Sequence, residues 1–164
     1  NPDGSQSWST TTEGLCPTST AIGMGDQVIV TTYECGSMKA FDSHGNEQWT
    51  SSGELELEGW NTPCVTQDST LIAYDAGSGC VYEIGDDGLT RWEFSIYDSL
   101  DYARRRALRP EGDFGSPIIG PNGDLYVAVV DGLVCIAHGG LKMANTAWPT
   151  YNHDVAHSGW AGRQ

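Results

Sequence analysis

His153 and His157 are four residues apart, the spacing at which two imidazoles share one helical face and can hold a divalent metal. Asp154 lies between them, but no third ligand stands nearby, and structural hydrogen bonding accounts for the stretch better than a metal does. Two acidic turns, Asp86-Asp87-Gly88 and Asn122-Gly123-Asp124, offer oxygens without the spaced ligands and terminal bidentate Glu of a calcium loop. Turn chemistry already explains them. No Gly-x-Ser-x-Gly nucleophile motif occurs, and the 21 glycines are spread as turn punctuation rather than gathered into a phosphate loop. His44 and His138 fall just before turn glycines, an ordinary setting for a polar ring. These residues predict no catalytic centre and no cofactor, so the chain is expected not to be an enzyme.

The five cysteines, Cys16, Cys35, Cys64, Cys80 and Cys135, show neither Cys-x-x-Cys nor Cys-x-x-Cys-His spacing, which argues against a zinc ribbon, a thioredoxin-type site or attached haem. Cys16 and Cys64 flank equivalent prolines, and Cys35 and Cys80 fall ahead of equivalent strands. Either pair could bridge neighbouring units, each bridge contributing about 2–4 kcal/mol. Cys135 lies on a strand and is the candidate for the odd thiol.

The elements that would position such groups recur. A glycine-to-tryptophan step reads Gly4-Ser5-Gln6-Ser7-Trp8, then Gly45-Asn46-Glu47-Gln48-Trp49, then Gly88-Leu89-Thr90-Arg91-Trp92, with a looser copy from Gly140 to Trp148. The tryptophans are 41, 43 and 56 residues apart, so the chain reads as one array over 1–164: units of approximately 9–49, 50–92 and 93–148, and a tail of 149–164. Within each unit short strands rich in β-branched and aromatic residues alternate with turn signals, of which Asp87-Gly88 and Asn122-Gly123 are the strongest. Proline opens the first strand of every unit, where a missing ladder N–H costs little. Trp8, Trp49, Trp92 and Trp148 are too large to bury at an edge and are expected to pack between neighbouring sheets.

One insertion, 93–115, interrupts the third unit. Asp98 or Ser99 is expected to cap a short helix near 98–109, stopped by Pro110. Arg104, Arg105, Arg106 and Arg109 concentrate there half of the eight basic residues, making this the candidate contact element for an acidic neighbour. Elsewhere the chain is acidic, with 22 carboxylates and a formal net charge of −14, so nucleic acid and anionic membrane surfaces are poor partners. No run of about eighteen apolar residues spans a bilayer. The start at Asn1 reads as a mature or trimmed product, and low Lys with abundant Ser, Thr, Gly and Trp resembles exported proteins, in the extracellular space or cell envelope.

The run Ser116-Pro117-Ile118-Ile119-Gly120, with Gly123-Asp124-Leu125-Tyr126-Val127 and Asp131-Gly132-Leu133-Val134, resembles the repeat of the PQQ-like (quinoprotein-type) β-propeller superfamily. Ala40-Phe41-Asp42-Ser43-His44-Gly45-Asn46-Glu47-Gln48-Trp49 resembles its tryptophan-docking motif, and the tail from Trp148 to Gly159 resembles a segment found at the ends of such propellers. The second unit departs, with Glu83 and Gly85 where the motif has Ala and an acid. The resemblance implies an all-β fold of PQQ-like blades, three to four four-stranded antiparallel units making a partial or half propeller. Circular propellers use about four to eight blades, so three units leave sheet edges open. The expected function is a non-catalytic exported scaffold that completes its fold by self-association or by docking in a larger assembly, its partner a protein, either a second copy or another subunit. The alternatives are the C-terminal fragment of a longer propeller with an envelope-assembly or ligand-binding role, and a quinone- or metal-dependent redox subunit.

Overall fold

The computed structural model describes residues 4–14, 20–32, 36–51, 55, 61–75, 78–99, 115–129, 132–146 and 149. They form three antiparallel meanders, each running in chain order from one edge to the other. Sheet 1 contains β1 (Ala21–Ile22), β2 (Val28–Thr32), β3 (Ser37–Phe41) and β4 (Glu47–Thr50). Sheet 2 contains β5 (Cys64–Val65), β6 (Leu71–Asp75), β7 (Cys80–Ile84) and β8 (Thr90–Ser95). Sheet 3 contains β9 (Ile118–Ile119), β10 (Leu125–Val129) and β11 (Gly132–Ile136), with no fourth strand among the described residues. The second and third strands keep one register throughout: Val28 faces Phe41, Leu71 faces Ile84, and Leu125 faces Ile136.

The same irregularity marks both four-stranded sheets. Ala40 pairs with Trp49 but Phe41 with Glu47, and Glu83 pairs with Trp92 but Ile84 with Thr90. The residue before each tryptophan, Gln48 or Arg91, is therefore the extra residue of a bulge, which bends the strand and re-aims the tryptophan after it. Its side chain reaches back into the preceding turn: Arg91 Nη2 lies 2.7 Å from Asp87 Oδ2, and Gln48 Nε2 donates to the Asn46 carbonyl at 3.2 Å.

Side-chain alternation divides the core into two seams. One gathers Ile29, Met38 and Ala40 of sheet 1 with Leu71, Ala73 and Ile84 of sheet 2. The other gathers Ile72, Tyr74 and Val81 of sheet 2 with Ile119, Leu125 and Val127 of sheet 3. Sheet 2 is covered on both faces, which is why β6 reads as a run of four apolar residues before Asp75 rather than an alternating one.

Two sequence expectations change. A helical turn stands just before the expected helix: α1 is Ile96–Ser99, with Ser95 Oγ accepting the Asp98 N–H at 3.1 Å, while 100–109 of that expectation lie outside the described residues. Ile96 is fully buried, its N–H bonded to the Gly79 carbonyl, and the Tyr97 ring lies over Gly79. The looser glycine-to-tryptophan copy after Gly140 does not continue as an outer strand. Instead Gln67 N–H donates to the Lys142 carbonyl, Ala144 N–H to Val65, and Val65 N–H to Pro149, at 2.7–2.8 Å. Thr146 Oγ1 donates to the Ile22 carbonyl at 2.6 Å. The chain thus leaves sheet 3 and lies along the first strands of sheets 2 and 1.

Candidate functional site

The tryptophans connect each sheet to the next. Trp8 lies over Gly45, where an added Cβ would be 2.6 Å from its Cε3, and its indole N–H donates to the Ser43 carbonyl at 2.9 Å. Trp49, from β4 of sheet 1, lies over Gly88 of sheet 2, where an added Cβ would be 2.9 Å from Cε3. Gly45 and Gly88 have φ of 84° and 80°, so only glycine meets the turn and the ring together. Trp92, from β8 of sheet 2, meets the His138 ring of sheet 3 edge-on at 5.9 Å and stacks on Phe94.

Each seat is a carboxylate-held turn. Asp42 accepts the N–H groups of His44 and Asn46 and the Asn46 side-chain amide at 2.8–2.9 Å, bonds that lower its pKa, the amide most of all. Asp87 accepts the Leu89 N–H and the Arg91 guanidinium, and its pKa is lowered by the same two contacts in that order. The position of Asp42 is taken by Gly85 in sheet 2 and by Ala137 in sheet 3, neither of which has a carboxylate. In sheet 3 Asp124, in the adjacent turn, supplies one instead and accepts the N–H groups of His138 and Gly139 at 3.0 and 3.1 Å. Sequence reading missed this substitution; the signal available was an alanine where the other two units have a turn-forming residue.

Sheet 3 ends differently from the others. Its inner face, through Leu125 and Val127, is buried against sheet 2, whereas Ala128, Leu133 and Cys135 on the opposite face are exposed. Leu133 is 67% exposed, and the outer backbone edge of β11 pairs with no described strand.

This arrangement of meanders is similar to parts of solved structures. BamB from Moraxella catarrhalis superposes with a TM-score of 0.57 at 16% identity, over 82% of this chain and 38% of that one. Virginiamycin B lyase from Staphylococcus aureus gives 0.55 at 13% identity, over 76% and 39%. A streptogramin B lyase gives 0.50 at 9% identity, over 79% and 39%. These sheets are propeller blades. The likeness is one of fold, and the chain spans about two-fifths of the length of each of these neighbours. No family model and no curated protein matches the sequence.

The blades also place the other candidate residues. Cys64 and Cys80 are thiols, so neither expected bridge to Cys16 or Cys35 forms; Cys16 and Cys35 themselves lie outside the described residues. Cys64 Sγ, on the first strand of blade 2, instead points at blade 3 and lies 2.7 Å from the Pro117 carbonyl oxygen. Cys80 Sγ lies near the Ser78 carbonyl of its own hairpin. Burial raises the Cys80 pKa and pushes Tyr82 up to about 12, which favours the protonated form of each side chain. Cys135 is an exposed thiol. Trp148, His153, His157, Arg104, Arg105, Arg106 and Arg109 lie outside the described residues. Among those described, no three His, Cys, Asp or Glu side chains gather as a metal site, and no helix is long and apolar enough to cross a membrane.

A cavity of about 70 Å3 opens at the first seam, lined in part by Gln27, Trp49, Val65, Leu71 and Asp86. It has room for water and is well short of the roughly 300–1,000 Å3 of a small-molecule site. The Trp49 indole N–H is buried beside it with no partner among the described residues, and a water in the cavity would satisfy that donor.

Proposed function

We propose that this chain is a non-catalytic scaffold of PQQ-like propeller blades, exported or held in the cell envelope, which works by joining other proteins or copies of itself. One observation carries the reading: polar groups at the seams hold turns and seat tryptophans, while blade 3 presents a strand edge and an apolar face that no described residues cover. Open edges recruit strands. The three sheets among the described residues fall short of the four to eight blades of a closed ring, which supports completion by another chain. Sizing the native chain in an extract of its source tests this. A species larger than the lone chain is expected, and a lone chain at native concentration overturns the reading.

A second reading has support in the two lyases among the fold neighbours. Incubation with virginiamycin B, with mass spectrometry as the readout, decides between them. The scaffold reading expects the antibiotic to be recovered unchanged, and turnover would replace it with an enzymatic one.

A further inference from the structure

Blade 3 lacks a fourth strand among the described residues, and one segment of the chain has the pattern of a fourth strand while pairing with no described strand. Gly4-Ser5-Gln6-Ser7-Trp8 has the spacing of Gly45 to Trp49 and Gly88 to Trp92, the stretches that lead into and along β4 and β8. Residues 4–10 nevertheless join none of the three sheets and are exposed apart from half-buried Trp8. Trp8 is already seated on blade 1, as Trp49 of blade 1 is seated on blade 2. The segment therefore behaves as the outer strand of a blade that should precede blade 1.

We infer that residues 4–10 of a second copy of this chain add to β11 as its fourth, antiparallel strand. The inference rests on the scaffold reading and names its contact. Register comes from the two complete blades. Ala40 and Glu83 pair with Trp49 and Trp92, and Cys135 holds their position in blade 3, so Trp8 pairs with Cys135. Phe41 and Ile84 pair with Glu47 and Thr90, so Gln6 pairs with Ile136 and Ser7 becomes the bulge residue. Ser51 N–H donates to the Met38 carbonyl at 2.8 Å, so Thr10 N–H donates to Leu133, the register mate of Met38.

The faces agree with the register. Ala40 and Met38 lie in the seam between blades 1 and 2. Cys135 and Leu133 occupy the same face of blade 3, the one left exposed. A second copy that contributes Trp8 beside Cys135 brings its blade 1 over that face, as blade 2 comes over Met38. The contact is head-to-tail and leaves each copy with one edge to give and one to receive. Made reciprocally by two copies, it joins twice the three described sheets into one ring, within the four to eight blades that close.

Two proline variants test it, each removing one N–H from the new ladder while sparing existing pairs. Leu133→Pro blocks the receiving edge, and Thr10→Pro blocks the giving strand without touching Trp8. By sedimentation, wild type is expected to be a dimer and each variant a monomer. An equimolar mixture of the two variants is expected to recover a 1:1 dimer, because it retains one intact edge of each kind. Folded variants that still dimerise like wild type overturn the inference, and so does a mixture that stays monomeric. A wild type that is monomeric at the highest soluble concentration also overturns it, while docking on a different protein, the wider reading, survives. Should either variant fail to fold, hydrogen exchange on wild type decides instead. The amides of Leu133 and Cys135 are expected to be protected in the dimer and to exchange at least tenfold faster on dilution. Protection or exposure that ignores concentration overturns the second-copy contact.

Discussion

Met38 and Leu133 hold the same place in two blades, each pairing with the fourth residue of the strand before it, yet Met38 is 0% exposed and Leu133 67%. The wider strands repeat the contrast. All of β3 is buried, and in β11 only Ile136 is. Both are five-residue strands, and β3 even carries a lysine where β11 carries valine, so composition does not produce the difference. On the face that carries Met38 and Ala40 it arises because blade 2 lies against blade 1, whereas the matching face of blade 3, with Leu133 and Cys135, has no described neighbour. Burial in a stacked array is conferred by the next sheet.

The largest expected effect tests that comparison at its centre. Met38→Ala removes a fully buried side chain and is expected to cost about 2–5 kcal/mol in urea unfolding. Leu133→Ala, measured at a concentration too low for association, is expected to stay within about 0.5 kcal/mol. Equal costs would mean that the outer face of blade 3 is covered within a single chain.

The turns give a second, smaller contrast. Gly45→Ala or Gly88→Ala forces a side chain into left-handed backbone and against an indole, for a combined cost of roughly 2–4 kcal/mol. Gly140 is at the corresponding place in blade 3, and an added Cβ there meets nothing within 4 Å. Gly140→Ala is expected to change the melting temperature little, because Trp92 meets that turn at His138 and not over Gly140. A large loss would show that blade 3 carries a docked ring like the others.

Features encoded locally were legible in the sequence. Asp87-Gly88 and Asn122-Gly123 announce their hairpins because both glycines need positive φ, and each Gly–Trp step marks where one blade meets the next. Features that depend on distant partners were not. Nothing in Leu141, Lys142 and Met143 says that the chain turns inward to pair beside Val65 and Thr66, since that choice is fixed across more than seventy residues. The cysteines misled for the same reason: equivalent positions in a repeat suggested bridges, but Cys64 faces blade 3. Asp124 standing in for Ala137 and Ser95 capping α1 are short-range effects hidden by their position one turn away from where the repeat places them.

Position 39 in blade 1, 82 in blade 2 and 134 in blade 3 are register mates that carry Lys, Tyr and Val, so at this register pH should act on the first two blades only. Tyr82 titrates near 10 when unfolded and near 12 when folded, because burial disfavours the phenolate. A raised acid pKa leaves stability whole below pH 10 and removes it as the pH rises from about 10 to about 12, by of order 2 kcal/mol. Burial raises Cys80 in the same direction. Tyr82→Phe is expected to flatten the alkaline limb of a denaturation–pH curve, and an unchanged slope would place the loss elsewhere.

The smallest effect comes from blade 1. Buried Lys39 meets Glu47 at 3.1 Å and Glu13 at 3.9 Å, while Glu47 also accepts the Thr50 hydroxyl at 2.7 Å. The Thr50 bond first and Lys39 second hold the Glu47 pKa below its ordinary value. A depressed carboxylate pKa contributes stability that is complete above the ordinary carboxylate range and is lost as the pH falls through it. Glu47 is partly exposed, so Glu47→Gln is expected to cost only about 0.5–1 kcal/mol at neutral pH. The gap between wild type and variant should close on acidification, because a protonated Glu47 carboxyl and the neutral amide of the variant then leave Lys39 in the same position. A gap that persisted into acid would assign the loss to packing, and blade 1 would then resemble uncharged blade 3 at this register.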